Sequence, residues 1–573
     1  MLRMKHGGHA PEPAPNETPF DYLLPDLPGD PGSLIPGDPA TVVAGLKALG
    51  SAMVDDAAPD GAQVNSTIPA IYTYWGQFID HDMTATMDSP AIGDITSETL
   101  RPADPSLIAA KLKNERRPTF DLDSVYGNGP GLDADCYRPD PGSADTAMYD
   151  GIRMRVGANA DEPDIPGARI PPVDDLSRDL PRVGPLLQAG AIAPDELPED
   201  LRDTSTQALI GDARNDENLI VAQLHLAFLR FHNRVVDAIE ADPATYGLAA
   251  DSGDAERFAE AQRLVRYHYQ WLVVHDYLKT VALPGIVDSI LLGGAKHYEP
   301  LADGELHAPL EYAVAAYRFG HSMVRGAYDH NRNFGTAVAP DESLEPVASF
   351  EDLFLFTGNG HELDPDDITK STRNPFRGAS ALPFNWIVEW DRMSSKVDPD
   401  ASHFARKIDA RLVPPIHNMV NEGTDEGELQ SDASTAVREL LRSLTQRNLL
   451  RGYLLSIPTG QAVAAAIGVD ALSDDELRAG NTDAVNAALD AGGFVEHTPL
   501  WYYVLKEAET RANGNALGEL GSRIVVETQV GIMQHDPASF LNAGWDPSQG
   551  VKLSNGDPIV TIRDFLAFAD LPV

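Results

Sequence analysis

Apolar residues recur at helical spacing along most of this chain. Between Asp212 and Glu240, the positions Leu219, Ile220, Val221, Leu224, Ala227, Phe228, Phe231 and Val235 fall on one side of a 3.6-residue turn. Asp and Asn residues suited to capping precede them, so the pattern predicts a long core helix over 215–241. The same reading predicts helices over 68–86, 254–283, 309–325, 402–421 and 432–451, and a broken set from 460 to 534. Strict alternation of apolar and polar residues is scarce, which points to a mainly α fold with little β and long loops. Two stretches, 128–185 and 326–400, read as loops because Pro, Gly, Asp and Asn cluster there, with Asn331, Asn333 and Asp341 in the second. No internal repeat of fixed period is present, which disfavours a solenoid. Residues 10–40 hold nine prolines, from Pro11 to Pro39, and predict an extended N-terminal arm over 1–45 ahead of a body spanning 46–573.

Charge narrows the function. The 573 residues carry 44 Lys and Arg against 87 Asp and Glu, a formal net charge of −43. Such a chain repels phosphate backbones and anionic lipid headgroups, so nucleic acid is excluded as a partner. No run of about 18 apolar residues occurs, so no membrane span is expected. Cys136 is the single cysteine, which leaves neither an intrachain disulfide nor a Cys-rich zinc site. The first residues have no apolar run after their basic ones, so no cleavable leader is expected. His6 and His9 in the arm are a weak metal candidate, since short polar termini are generally unstructured.

The chemistry concentrates in histidines set into helical patterns. In Tyr74-Trp-Gly-Gln-Phe-Ile-Asp-His-Asp82, Gln77 and His81 stand four apart and share a helix face, with Asp80 and Asp82 flanking the ring. A histidine between two acids on an apolar helix is costly to bury unless something charged or metallic sits against it. Further helical histidines are His225, His232, His268 and His321, the last in Ala316-Tyr-Arg-Phe-Gly-His-Ser-Met-Val324. A lone helical histidine is usually a core residue, but two on separate helices can bracket a planar iron cofactor. No His-Glu-x-x-His and no Gly-x-x-x-x-Gly-Lys occurs, and Gly127-Asn-Gly-Pro-Gly131 lacks the strand-to-helix setting of a dinucleotide loop.

Three segments resemble the signatures of the animal-type haem peroxidases, the family of myeloperoxidase within the wider peroxidase-cyclooxygenase superfamily. They are Trp75-Gly-Gln-Phe-Ile-Asp-His-Asp82, Gly211-Asp-Ala-Arg-Asn-Asp-Glu-Asn218 continuing to His232-Asn-Arg234, and Tyr317-Arg-Phe-Gly-His321. They occur in the family's order and, with two further segments, extend the resemblance over roughly residues 60 to 535. The lack of disulfides and the acidic, Pro-led chain look more like the family's bacterial members.

The resemblance implies a haem peroxidase domain over 46–573 that uses hydrogen peroxide to oxidise halides, thiocyanate or phenolic donors through a ferryl intermediate, as in a response to oxidative stress. It makes His81 the distal base, Gln77 its neighbour that orders water or halide, and Arg214 the distal cation. It makes His321 the ligand of the haem iron, Asn448 in Leu444-Thr-Gln-Arg-Asn-Leu-Leu-Arg451 the acceptor of its second ring N–H, and Arg451 the partner of a haem propionate. Those roles suit the chemistry: a neutral imidazole moves a proton between peroxide oxygens, a guanidinium stabilises charge as the O–O bond breaks, and a hydrogen bond to the far ring nitrogen strengthens an imidazole as an iron donor. Asp80 and Glu217 match the two acids that bind haem b covalently as esters. Asn218 stands where myeloperoxidase has a methionine joined to the haem, so that third link is not expected, and donors other than chloride are favoured.

Arg117-Pro-Thr-Phe-Asp-Leu-Asp-Ser-Val-Tyr-Gly127 resembles the family's calcium loop, which implies Ca2+ on Asp82, Thr119, Asp121 and Asp123. Arg117 sits where a side-chain oxygen is expected, leaving only its carbonyl to serve. Calcium and the resemblance favour export without a leader, whereas the missing leader favours the cytoplasm. Two alternatives stay open: a fatty-acid dioxygenase of the same superfamily and a non-catalytic haem-binding protein. Against the first, Arg318 occupies the position three before His321 where cyclooxygenases have their radical-forming tyrosine.

Overall fold

The computed structural model describes residues 17–55, 63–85, 91–127, 129, 148–160, 175–197, 206–334, 348–358, 381–395, 403–419 and 435–573. His6, His9, Cys136 and Asp341 lie outside the described residues.

Helices build the body, and strands are few and short. Those used below are α1 (Pro39–Ala52), α2 (Ile71–Met83), α3 (Leu219–Ala241), α4 (Asp254–Leu272), α5 (Leu444–Leu454), α6 (Leu500–Ala512) and α7 (Glu519–His535). Their starts follow from local chemistry. Asp38 accepts the Thr41 amide at 3.1 Å with Pro39 in the first turn of α1, and Asn218 accepts the Val221 amide at 3.1 Å to open α3. The apolar stripe on α3 packs against α2, where Phe78 stacks on Phe228 with centroids 4.3 Å apart and Trp75 meets the same Phe228 ring at 5.5 Å. These residues are fully buried, so the helix pair is held chiefly by aromatic area removed from water.

The arm lies on the body in its described part. Residues Thr18–Asp21 form a strand, antiparallel to Lys113–Asn114 and parallel to Ala308–Pro309. Phe20, Tyr22 and Leu23 are buried, and the Glu311 carboxylate accepts the amides of Leu23 at 2.8 Å and Leu24 at 3.2 Å. The expected boundary at 45/46 falls inside α1.

Two expected helices take another form. Over 402–421 the chain makes a strand, Phe404–Arg406, paired antiparallel with Asn65–Pro69, then a single turn at Pro414–His417. A strand partner more than 300 residues away supplies the hydrogen bonds, and Pro414 and Pro415 have no N–H to extend a helix. Over 309–325 a π-turn at Glu311–Ala315 passes into a tight 3-10 stretch at Ala316–Met323, because Ala315 leaves helical geometry at φ −125° and ψ −74°. A second π-turn, Val273–Tyr277, follows α4. Among the described residues no helix is long and apolar enough to cross a membrane.

Candidate active site

The pocket face of α2 emerges from helical periodicity. While Trp75, Phe78 and Ile79 enter the core, Tyr72, Thr73, Gly76, Gln77, Asp80 and His81 turn together toward one cavity of about 220 Å³. Arg214, Glu217 and Asn218, at the turn before α3, line it too, as do Gly320 and His321 from the 3-10 stretch and Arg447, Asn448 and Arg451 from α5. All eight residues expected around the haem line this one cavity: Gln77, Asp80, His81, Arg214, Glu217, His321, Asn448 and Arg451.

On the α2 wall, Nδ1 of His81 lies 2.9 Å from Oδ1 of Asn215, whose amide nitrogen lies 3.0 Å from Nδ1 of His225. An amide oxygen only accepts, so this contact sets the proton on Nδ1 and leaves the Nε2 lone pair of His81 available. Burial, aided by the Arg214 charge, holds the His81 pKa below its ordinary value, against the opposing pull of Asp212, Glu217 and Asp80. The ring is therefore neutral near pH 7 and able to take a proton. Gln77 is fixed by Asn218, whose Nδ2 donates to Oε1 at 3.1 Å.

Arg214 is held by what surrounds it. Its Nη1 donates to the Thr84 carbonyl at 2.7 Å and its Nη2 to the His81 carbonyl at 2.8 Å, while Asp212 accepts from Nε at 3.1 Å and from Nη2 at 2.7 Å. Arg116 approaches the same Asp212 carboxylate at 2.5 Å. Burial alone would raise the Asp212 pKa, but Arg116 and Arg214 together hold it well below the usual carboxylate range. Behind this turn, buried Arg182 bridges Asp179 at 2.9 Å and Asp216 at 2.8 Å, so the loop ending near 185 braces the cation.

Also in the lining, the Asn448 side-chain amide lies 2.8 Å from Nδ1 of His321, with Nδ2 the atom placed toward the ring. An amide turned by 180° occupies the same space and would present Oδ1 to an Nδ1–H, which makes Nε2 the nitrogen whose lone pair suits a metal. Adding a Cβ at Gly320 would meet nothing within 4 Å, so the backbone before His321 borders open space. The lining carries four guanidinium groups, Arg214, Arg318, Arg447 and Arg451, against the carboxylates of Asp80 and Glu217. A flat group with two carboxylates that needs an axial imidazole fits this donor set.

Beside His81, Asp82, Asp121 and Asp123 bring ligand oxygens within 4.8 Å of one another. Burial, then repulsion from Asp123 and Asp121, pushes Asp82 well above its ordinary pKa, and burial likewise lifts Asp123 to about 7 against the pull of Arg116. Phe120 and Leu122 take left-handed backbone, with φ of 53° and 61°, to converge these acids. Thr119 turns its carbonyl to Nε2 of Gln270 at 3.3 Å, and Arg117 pairs with Asp121 at 3.0 Å, a countercharge rather than an oxygen donor.

Asp212, Asn215 and Arg447 lie inside the motif segments, but their roles emerge only from the fold. Their signal is adjacency: Asp212 and Asn215 flank Arg214, and Arg447 precedes Arg451 by one helical turn. The other helical histidines are core residues. His232 sits between the Tyr126 hydroxyl at 3.1 Å and the Ile152 carbonyl at 3.0 Å, and His268 packs on Trp545 with centroids 4.8 Å apart.

Comparison with known proteins bears on the family and the fold. The animal haem peroxidase family model matches residues 184–362. A peroxidase-like protein of Margaritifera margaritifera is 28% identical over 276 residues, which are 45% of this chain and 32% of that relative, so the match spans about a third of the relative's length. Peroxidase A from Dictyostelium discoideum shares the fold with a TM-score of 0.56 at 15% identity, over 100% of this chain and 98% of that one. The Oryza sativa fatty acid alpha-dioxygenase does so with a TM-score of 0.52 at 14% identity, over 96% and 79%. Residues 184–362 are thus similar to the animal haem peroxidase family, and the mainly helical fold is similar to those of the Dictyostelium peroxidase and the Oryza alpha-dioxygenase.

Proposed function

We propose that this protein is a haem-dependent peroxidase that uses hydrogen peroxide to oxidise halides, thiocyanate or small phenolic donors. The observation that carries this reading is the shared cavity, whose lining brings together a neutral, Asn215-held His81, a braced Arg214, and His321 with Asn448. Haem b, when bound, supplies the iron that accepts peroxide and stores its oxidising equivalents. His321 would hold that iron through Nε2, with the Asn448 amide fixing the ring. Arg451, joined by Arg447, would pair with the propionates, and Asp80 and Glu217 would be the carboxylates that esterify the ring.

His81 takes a proton from the peroxide oxygen nearest its Nε2 and returns it to the departing oxygen, which leaves as water. Arg214 stabilises the charge that grows on that oxygen, and its bonds to the His81 and Thr84 carbonyls mean that no reorientation is needed. Gln77 orders the small molecule beside His81. Asp82, Thr119, Asp121 and Asp123 would hold Ca2+, whose charge offsets the crowded carboxylates and fixes the end of α2 next to His81.

Replacing His81 by Ala tests the reading: the haem absorption should persist while the reaction with peroxide slows by about 10²–10⁴-fold. Equal peroxide reactivity in the variant would overturn it. Arg318, which donates to the Ala313 carbonyl at 2.9 Å, places a cation three residues before His321, and this favours a peroxidase over a fatty-acid dioxygenase. Uptake of dioxygen with a long-chain fatty acid would reverse that preference.

A further inference from the structure

Four tyrosines line the cavity, Tyr72, Tyr74, Tyr277 and Tyr317. Of these, Tyr72 is the one whose hydroxyl meets a carboxylate: its Oη donates to Oδ1 of Asp276 at 2.7 Å, and both residues are buried. We propose that Tyr72 is an internal one-electron donor of this site and that Asp276 takes its proton. The proposal rests on the peroxidase reading above.

The arrangement is built rather than incidental. Tyr72 lies on the cavity face of α2, five residues and so about 7.5 Å along the axis before Gln77. Asp276 belongs to the π-turn Val273–Tyr277, and such turns often mark functional sites. Its second oxygen accepts the Ile562 amide at 2.7 Å, which fixes the carboxylate, and the Thr280 side chain is another hydrogen-bond partner of the phenol. From the same π-turn, Tyr277 lies over Tyr72 with centroids 6.4 Å apart and planes 13° from parallel. Only a glycine at 76 allows this, because a Cβ there would come within 2.5 Å of the Tyr277 hydroxyl. Tyr317 then donates to the Tyr277 hydroxyl at 3.1 Å, which joins a second phenol pair to the same wall.

Charge decides which phenol gives up an electron. Burial and the neighbouring Asp276 push the Tyr72 pKa far above its ordinary value, so it does not ionise first. Removing an electron without a proton would leave a cationic ring in a dry site, which is costly. With Asp276 in place, the Tyr72 O–H bond breaks, its proton forms an O–H bond on Asp276, and the electron reduces the peroxide-oxidised haem group by one equivalent. The pair passes from one buried negative charge to none. An external donor returns the electron, and Asp276 returns the proton. The Tyr277 and Tyr317 hydroxyls meet each other, and Tyr317 also meets the Gln529 amide; neither partner is a carboxylate base.

Freeze-quench electron paramagnetic resonance of the haem-loaded protein after hydrogen peroxide tests this. A tyrosyl signal is expected in the parent protein, absent in Tyr72→Phe, retained in Tyr246→Phe outside the cavity, and formed about tenfold or more slowly in Asp276→Asn. An unchanged signal in Tyr72→Phe, or no tyrosyl signal in a parent protein whose Soret band responds to peroxide, overturns this inference alone. A parent protein whose Soret band does not respond overturns the peroxidase reading and this one together. If Asp276→Asn does not fold, Tyr72→Phe decides the question by itself.

Discussion

Changing Asp212 to Asn removes the one anion shared by Arg116 and Arg214. The carboxylate accepts from the Arg214 backbone N–H at 2.9 Å, from its Nε at 3.1 Å and Nη2 at 2.7 Å, and from Arg116 at 2.5 Å. An amide keeps the shape but turns one acceptor into a donor facing donors, removes the carboxylate partner of Arg214, and leaves Arg116 with Asp123 at 3.9 Å. Breaking a buried pair in this way costs about 3–5 kcal/mol. Both guanidinium groups keep some water contact, with side chains 13% and 14% exposed, so the lower end, about 3 kcal/mol, is expected. Urea unfolding followed by circular dichroism at pH 7 measures it, and stopped-flow reaction with peroxide should slow by about 10²–10³-fold as Arg214 loses its fixed position. The pH dependence has a definite sign. A folded-state pKa held below the unfolded value contributes stability that is complete above the ordinary carboxylate value near 4 and is lost as pH falls beneath it. The gap between parent and variant should therefore narrow in acid. A gap under about 1 kcal/mol at pH 7, or one that does not narrow in acid, would refute the reasoning.

Three further outcomes are expected. Asn448→Leu, which removes the polar partner of His321, should speed haem loss to a scavenging apoprotein by about 10–100-fold, and unchanged loss would deny the contact a role. Chelation of calcium should lower the unfolding free energy measured in urea by on the order of 3 kcal/mol if the ion is present at about 100 times its Kd; Asp82→Asn should make the protein indifferent to chelator, and a parent protein that is itself indifferent would count against the ion. Burial raises Glu311 from 4.5 to about 7, so the folded state binds the extra proton and stability falls as pH rises between those values, by up to about 1.4 kcal/mol per pH unit. Glu311→Gln should flatten that slope, and an identical slope in the variant would contradict the assignment.

How far the sequence carries depends on the distance over which each feature is decided. The stripe from Leu219 to Val235 is local, and α3 follows it; so does the face of α2 that brings Gln77 and His81 to the cavity. Residues 404–406 look helical in isolation because the strand that claims them lies at 65–69. The π-turn at 311–315 breaks a helical period at a point where Glu311 binds the amides of Leu23 and Leu24, partners nearly 290 residues away. Within the Gly211–Asn218 run, the motif points to Arg214, but only folding shows that Asn215 turns to His81 while Asp212 turns to Arg116. The arm was legible as proline-rich; its buried Phe20, Tyr22 and Leu23, apolar residues spaced between prolines, were the sign that it docks.

Titration of the haem-free protein with hemin, read by its optical spectrum, tests the central claim most directly. One equivalent should bind with a Soret band characteristic of an imidazole-ligated ferric haem, and His321→Ala should lose that band's position and most of the affinity while the fold is kept. Absence of binding, or a spectrum and affinity that do not depend on His321, would contradict the account.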